Sequence, residues 1–206
     1  MEGAIVKVAK LGLAALLAAV ATVTLAGPAE AYDGGDAAAY ADTWALSYNS
    51  HYLKFGDDCT NFVSQSLHAG GKPFVGYGTS PTSDSVWWQN KSANAWSHSW
   101  TVAWDLYQYL DYHGGGGTYE GSAPGTSINP YTPSSVKTGD ALFYDWGHGE
   151  GVSHSAIQVG IGGDPSSGYQ GNYIDEHTSG RKHAFWSLYP YNAYRSTTTI
   201  YFLHIH

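Results

Sequence analysis

The chain has a single cysteine, Cys59, in the run Asp57-Asp58-Cys59-Thr60-Asn61-Phe62-Val63-Ser64-Gln65-Ser66-Leu67-His68-Ala69-Gly70-Gly71. Phe62, Val63, Ser66 and Leu67 fall at i, i+1, i+4 and i+5, Asp58 is an N-cap residue type, and Gly70-Gly71 is a stop signal. The spacing predicts a helix with Cys59 in its first turn. Unpaired backbone N–H groups and the positive end of the helix dipole favour a thiolate there, and the thiolate is the nucleophilic form of cysteine. The Asp57 and Asp58 charges oppose that effect. The competing reading is a small core thiol without chemistry. Against it, Cys59 lies at the edge of the apolar stripe and its neighbours are polar.

Asp58-Cys59-Thr60-Asn61-Phe62-Val63-Ser64-Gln65, followed by Ala69-Gly70-Gly71, resembles the signature of the putative amidase domain family of bacteria. That family is similar to papain-like cysteine hydrolases, among them cell-wall peptidases and the cysteine-histidine amidohydrolase group. The resemblance implies a cysteine at a helix N-terminus facing a histidine on a sheet, acting on a peptide or peptidoglycan-type amide without a cofactor. His154, which opens Val152-Ser153-His154-Ser155-Ala156-Ile157, resembles the family's general base, although a strand-initial histidine beside Gly151 also fits a plain surface position. Tyr52 recurs in the family just upstream of the cysteine. Its hydroxyl is either an oxyanion donor beside the Cys59 N–H or part of a packing tyrosine.

A third member, to orient the imidazole, follows from strand register. Gly162 to Gly168 reads as a hairpin loop centred near Pro165, which sets His154 opposite His177. Directly opposed residues share a face, so Asp175 lies with His177 and Glu176 points away. The family resemblance also favours the His177-Thr178 position. A slip of one residue would exchange the faces and bring Glu176 in instead.

The elements that must carry these residues are legible in outline. A helix is expected from Asp36 to Tyr48, with Tyr40, Trp44 and Tyr48 in one line and Ala41 and Ala45 in another. Residues 72–99 are loop-rich, and helical spacing returns from Trp100 to Leu110. The five tryptophans between Trp87 and Trp104 either fill a core or stack on sugars. Gly114 to Pro133 reads as a flexible loop. Strand patterns follow at Ala141–Tyr144, Ser155–Ile161, Tyr169–His177, Ala184–Leu188 and Thr197–Ile205. Helices followed by strands predict an α+β fold with an antiparallel sheet, which agrees with the papain-like plan.

Residues 1–31 have the form of a secretory signal peptide: Lys7 and Lys10, an apolar run from Leu11 to Leu25, and Ala29-Glu30-Ala31 as the cleavage site. The run is shorter than the roughly 20 residues needed to span a bilayer, so residues 32–206 are expected to be exported as one soluble domain. Seventeen acidic against nine basic residues, a net charge of -8, argue against nucleic acid or anionic lipid as a partner. One cysteine excludes an internal disulfide and a multi-thiolate zinc site. Two rival functions stand beside the cysteine hydrolase. One is a zinc hydrolase using His148, His154, His177 and Asp175, for which no metal-ligand spacing is present; the other is a non-catalytic binding module with an aromatic surface.

Overall fold

The computed structural model describes Met1 and residues 31–206, so the expected signal peptide falls on residues outside that description. Among the described residues no helix is long and apolar enough to cross a membrane.

Asp33 caps the first helix, α1 (Gly34–Trp44), by accepting the Gly35 and Asp36 N–H groups at 2.7 and 3.1 Å. The helix stops at Trp44 rather than Tyr48. Its buried side is the alanine line, Ala37, Ala38 and Ala41, while Tyr48 is exposed. Small side chains let the helix sit close to its support. A Cβ on Gly34 would lie 2.2 Å from the Thr138 carbonyl oxygen, and Gly139 opposite it takes φ +91, a conformation that favours glycine.

The second helix, α2 (Cys59–Ala69), begins at the cysteine, as its spacing predicts, and is buried from Cys59 through Leu67. Its polar positions find partners within the protein: Tyr40 donates to Gln65 at 2.6 Å, and the Trp87 and Trp100 indoles donate to Ser64 and Asn61. A two-stranded ribbon follows, β1 (Gln89–Asn90) with β2 (Ala95–Trp96), and then α3 (His98–Thr101) and α4 (Ala103–Tyr112). The single helix expected from Trp100 is two pieces because Val102 is extended, at φ -109 and ψ 125. Trp87, Trp88 and Trp100 are buried in this helical layer and Trp104 lies at its surface, so most of the tryptophan-rich segment is core.

The remaining strands form one six-stranded sheet in the order β3-β8-β4-β5-β6-β7, with every pair antiparallel. They are β3 (Gly117–Pro124), β4 (Ala141–Asp145), β5 (Val152–Gly163), β6 (Gln170–Glu176), β7 (Arg181–Phe185) and β8 (Thr199–Ile205). The architecture is α+β. β3 occupies part of the segment read as a flexible loop; it is an edge strand with a bulge between Tyr119 and Ser122. Helices α1 and α2 pack on the sheet through Phe62, Ile157 and Val159. A second apolar cluster holds Leu142, Tyr144, Ile174, Phe185, Trp186 and Phe202.

The β5–β6 register corrects the sequence-based one. Ile157 pairs with Asp175, so the line through His154 meets Thr178 rather than His177. Two local features move it by one residue. The turn is centred beyond Pro165, because the Asp164 side chain gathers the Ser166 and Ser167 N–H groups, and β5 carries an irregularity between Gln158 and Gly160. A slip of one reverses the faces: Asp175 now shares the side of Ile157, and Glu176 shares the side of His154.

Candidate active site

β6 leaves β5 after Glu176, and the N-terminus of α2 closes the gap. The Asp58 N–H donates to the Thr178 hydroxyl at 3.1 Å, and the Ser155 hydroxyl donates to Thr60 at 3.2 Å. This places Cys59 against the start of β5, where its sulfur lies 3.7 Å from the Thr60 hydroxyl and shares one cleft with His154. Asp58 occupies the N-cap position but makes no side-chain cap bond. Its carboxylate turns inward instead, accepting from Phe55 N at 2.9 Å, Asn61 Nδ2 at 2.9 Å and His177 Nδ1 at 2.7 Å. The first turn of α2 therefore keeps its N–H groups free of the cap and directed toward the cysteine end.

His154 is held from both sides. Its Nε2 lies 2.5 Å from Glu176 Oε2, which leaves Nδ1 for the thiol, and the Trp146 and Tyr144 rings lie against it with centroids at 5.4 Å. The other oxygen of Glu176 accepts from Arg181 on β7. Charges of alternating sign thus run from Arg181 through Glu176 and His154 to Cys59.

Each charge moves its neighbour's proton equilibrium. Burial alone would raise the Cys59 thiol, but His154, the Ser155 N–H and Thr60 outweigh it and bring the thiol down to about 7. Burial alone would lower His154, but the Cys59 and Glu176 charges outweigh it and raise the imidazole. Glu176, also buried, is held below the usual carboxylate range by His154 and Arg181. The arrangement favours a thiolate and imidazolium over a neutral pair at neutral to mildly alkaline pH.

The pair opens onto a cleft of about 360 Å³. Trp146, Leu188, Tyr191 and Tyr194 supply apolar walls, and Asp57 and Arg181 supply charge at the sides. A chain segment carrying a carbonyl can reach the sulfur from this side. The first-turn N–H groups of α2 are donors available to the developing oxyanion.

The other sequence-expected positions lie elsewhere. His177 has both ring nitrogens engaged, Nδ1 with Asp58 and Nε2 with the Trp44 carbonyl oxygen at 2.8 Å, and its ring stacks on Phe62 at 4.0 Å. It ties α1 and α2 to β6 rather than reaching His154. Asp175 points to the helix side, where its Oδ1 accepts the His183 N–H at 2.7 Å. Burial, with the Asp42 charge adding to it, pushes the Asp175 carboxyl up to about 7 despite that bond. Tyr52 stacks on Trp100 with centroids 6.0 Å apart and lies edge-on to Tyr40; it does not line the cleft. Among the described residues, His148, His154, His177 and Asp175 do not converge into a metal-ligand set. Arg181 and Trp146 belong to the site but carried no signal in the sequence, because only the hairpin and the β4–β5 connection bring them to His154.

The model of a family described as a putative amidase domain matches residues 31–202. The chain belongs to that family. The family's description supports an amidase-type hydrolase. It is similar to the uncharacterized protein YhbB of Bacillus subtilis (strain 168), 32% identical over 182 residues that cover 87% of this chain and 52% of YhbB. It is also similar to the uncharacterized protein YjcM of the same organism, 31% identical over 125 residues that cover 60% of this chain and 25% of YjcM. The chain thus spans about half the length of one of these relatives and a quarter of the other. No solved structure matches it.

Proposed function

We propose that this amidase-family protein is an exported cysteine hydrolase that cleaves an amide bond in bacterial cell-wall peptide. The observation that carries the reading is that the sole thiol, at a helix N-terminus, and His154 line one open cleft, with Glu176 behind the imidazole. Helix-borne cysteine and sheet-borne histidine agree with a papain-like plan. Cys59 as thiolate attacks the carbonyl carbon, and the first-turn N–H groups of α2 stabilise the oxyanion. As the tetrahedral species collapses, the carbon–nitrogen bond breaks and His154 Nδ1 gives its proton to the leaving amine. Water then attacks the thioacyl carbonyl with His154 as base, the carbon–sulfur bond breaks, and a carboxylic acid leaves with the thiolate restored. Glu176 fixes the ring through Nε2 in both halves.

Export is supported by the N-terminal pattern, Lys7 and Lys10 before an apolar run and Ala29-Glu30-Ala31 after it. Tyr32, next after the expected cleavage site, donates its hydroxyl to the Gly139 carbonyl oxygen at 2.6 Å and packs against the core. Cell-wall peptide is the substrate class that an exported bacterial amidase would meet. The test is mass analysis of products released from purified peptidoglycan by the protein and by Cys59→Ala. New amine and carboxyl ends that appear only with the intact cysteine support the reading; release that persists in Cys59→Ala overturns it.

A further inference from the structure

A second constellation lies on the other side of β6 from the catalytic pair. Asp42 in the last turn of α1, Asp175 on β6 and His183 on β7 each bring one ligand atom within 4.8 Å of the others. Asp175 is fully buried. Its Oδ1 is satisfied by the His183 N–H, but its Oδ2 has no partner, and among the described residues it is the one buried side-chain polar atom left so. Buried carboxylate oxygens are normally paired, and an orphan on a carboxyl grouped with another carboxylate and an imidazole calls for a cation. His183 takes a left-handed backbone, φ +57, that puts its N–H on Asp175 while its Nε2 reaches Asp42 Oδ1 at 2.5 Å.

The nearest positive charge does not fill the role. Lys182 Nζ donates to the Asp42 carbonyl oxygen at 2.7 Å and lies 3.5 Å from Asp42 Oδ1, so it serves Asp42, and the Asp175 oxygen stays unpaired. We propose that Asp42, Asp175 and His183 form a divalent-cation site, for which zinc is the best match. Two carboxylate oxygens and one imidazole nitrogen are a mixed oxygen and nitrogen set. Imidazole disfavours calcium and magnesium, and three protein ligands leave room for a water because Asp42 and His183 are partly exposed. A cation here would clamp α1 to the β6–β7 hairpin. The other face of that hairpin carries Glu176 and Arg181, so its part would be to hold the catalytic carboxylate's support rather than to take part in chemistry. The site stands on its own residues and does not depend on the proposed hydrolysis.

The test is calorimetric titration of zinc chloride into the Cys59→Ala protein, in which the catalytic sulfur can no longer bind metal. One zinc per chain and a Tm that climbs with zinc concentration are expected. Asp175→Asn and His183→Ala in the same background should each weaken binding at least about tenfold. Asp42→Asn, at a partly exposed helix position, should do the same with the fold kept. His154→Ala should leave binding intact. Absence of one-to-one binding, unchanged affinity in Asp42→Asn, or loss of binding with His154→Ala alone would overturn the site.

Discussion

Asp175 and Glu176 are consecutive residues of one strand, both buried, and their surroundings drive them apart. Glu176 faces His154 and Arg181, and those two positive partners hold it ionised below the usual range. Burial, with the Asp42 charge adding to it, pushes Asp175 up to about 7, because one N–H bond to one oxygen and no partner on the other do not offset it. Burial is comparable, so the difference comes from the charge of the partners. An alternating pattern of strand side chains has placed one carboxylate in a chain of opposite charges and the next beside a like charge. The first arrangement suits a base that must stay aligned through a reaction. The second suits a cation.

That contrast can be broken at several points. The largest effect is expected at the head of the charge line. Cys59→Ala and His154→Ala should each lower kcat/KM for amide hydrolysis by on the order of 10³–10⁶-fold, and the double variant should fall no further, because nucleophile and base act as one unit. Additive losses would mean that they work separately. Next comes the comparison itself. Glu176→Gln should lower kcat by about 10²–10⁴-fold, since the amide can no longer hold the imidazolium, whereas Asp175→Asn should cost at most about tenfold. His177→Ala should behave differently from both. It removes the His177 partner of Asp58 Oδ2 and leaves Phe55 N and Asn61 Nδ2 on Oδ1, so the expected damage is a lower Tm, with activity per folded molecule better kept than in Glu176→Gln.

This division was only partly legible in the sequence. The helix start at Cys59 could be read because apolar spacing and a glycine stop bracket it, whereas His154 is marked by its resemblance to the family's base, since strand alternation alone also fits a surface histidine. Glu176 could not be chosen over Asp175 because the choice hangs on register. The register in turn depends on how Asp164 folds the turn and on an irregularity at Gln158/Gly160, neither of which has a pattern to read. β3 was hidden for a similar reason: its glycines, Ser122 and Pro124 resemble a loop, and an edge strand with exposed positions lacks the usual alternation. Arg181 comes to the site only through hairpin pairing, as Glu176↔Arg181.

The pH profile sharpens the contrast with a smaller effect. The active form needs Cys59 without its proton and His154 with one. Activity should therefore rise as pH passes the lowered thiol value near 7 and fall as it passes the raised imidazole value near 10. Removing the Glu176 charge removes one cause of the raised His154 value, so Glu176→Gln should move the alkaline limb to lower pH; Asp175→Asn should leave both limbs in place. The smallest effect is expected at Tyr52. An oxyanion donor would cost about 10²–10³-fold in kcat when lost. Tyr52 is stacked on Trp100 away from the cleft, so Tyr52→Phe should change kcat by less than about threefold.

The coupling of Cys59 to His154 can be measured without knowing the substrate. The rate of Cys59 alkylation by iodoacetamide, followed against pH in the protein and in His154→Ala, reports the thiolate population directly. A reactive thiolate in the native protein well below the unperturbed thiol value of about 8.5, lost in His154→Ala, is the result expected of a paired thiolate and imidazolium. An ordinary thiol titration in both proteins, or no labelling until denaturant is added, would contradict it.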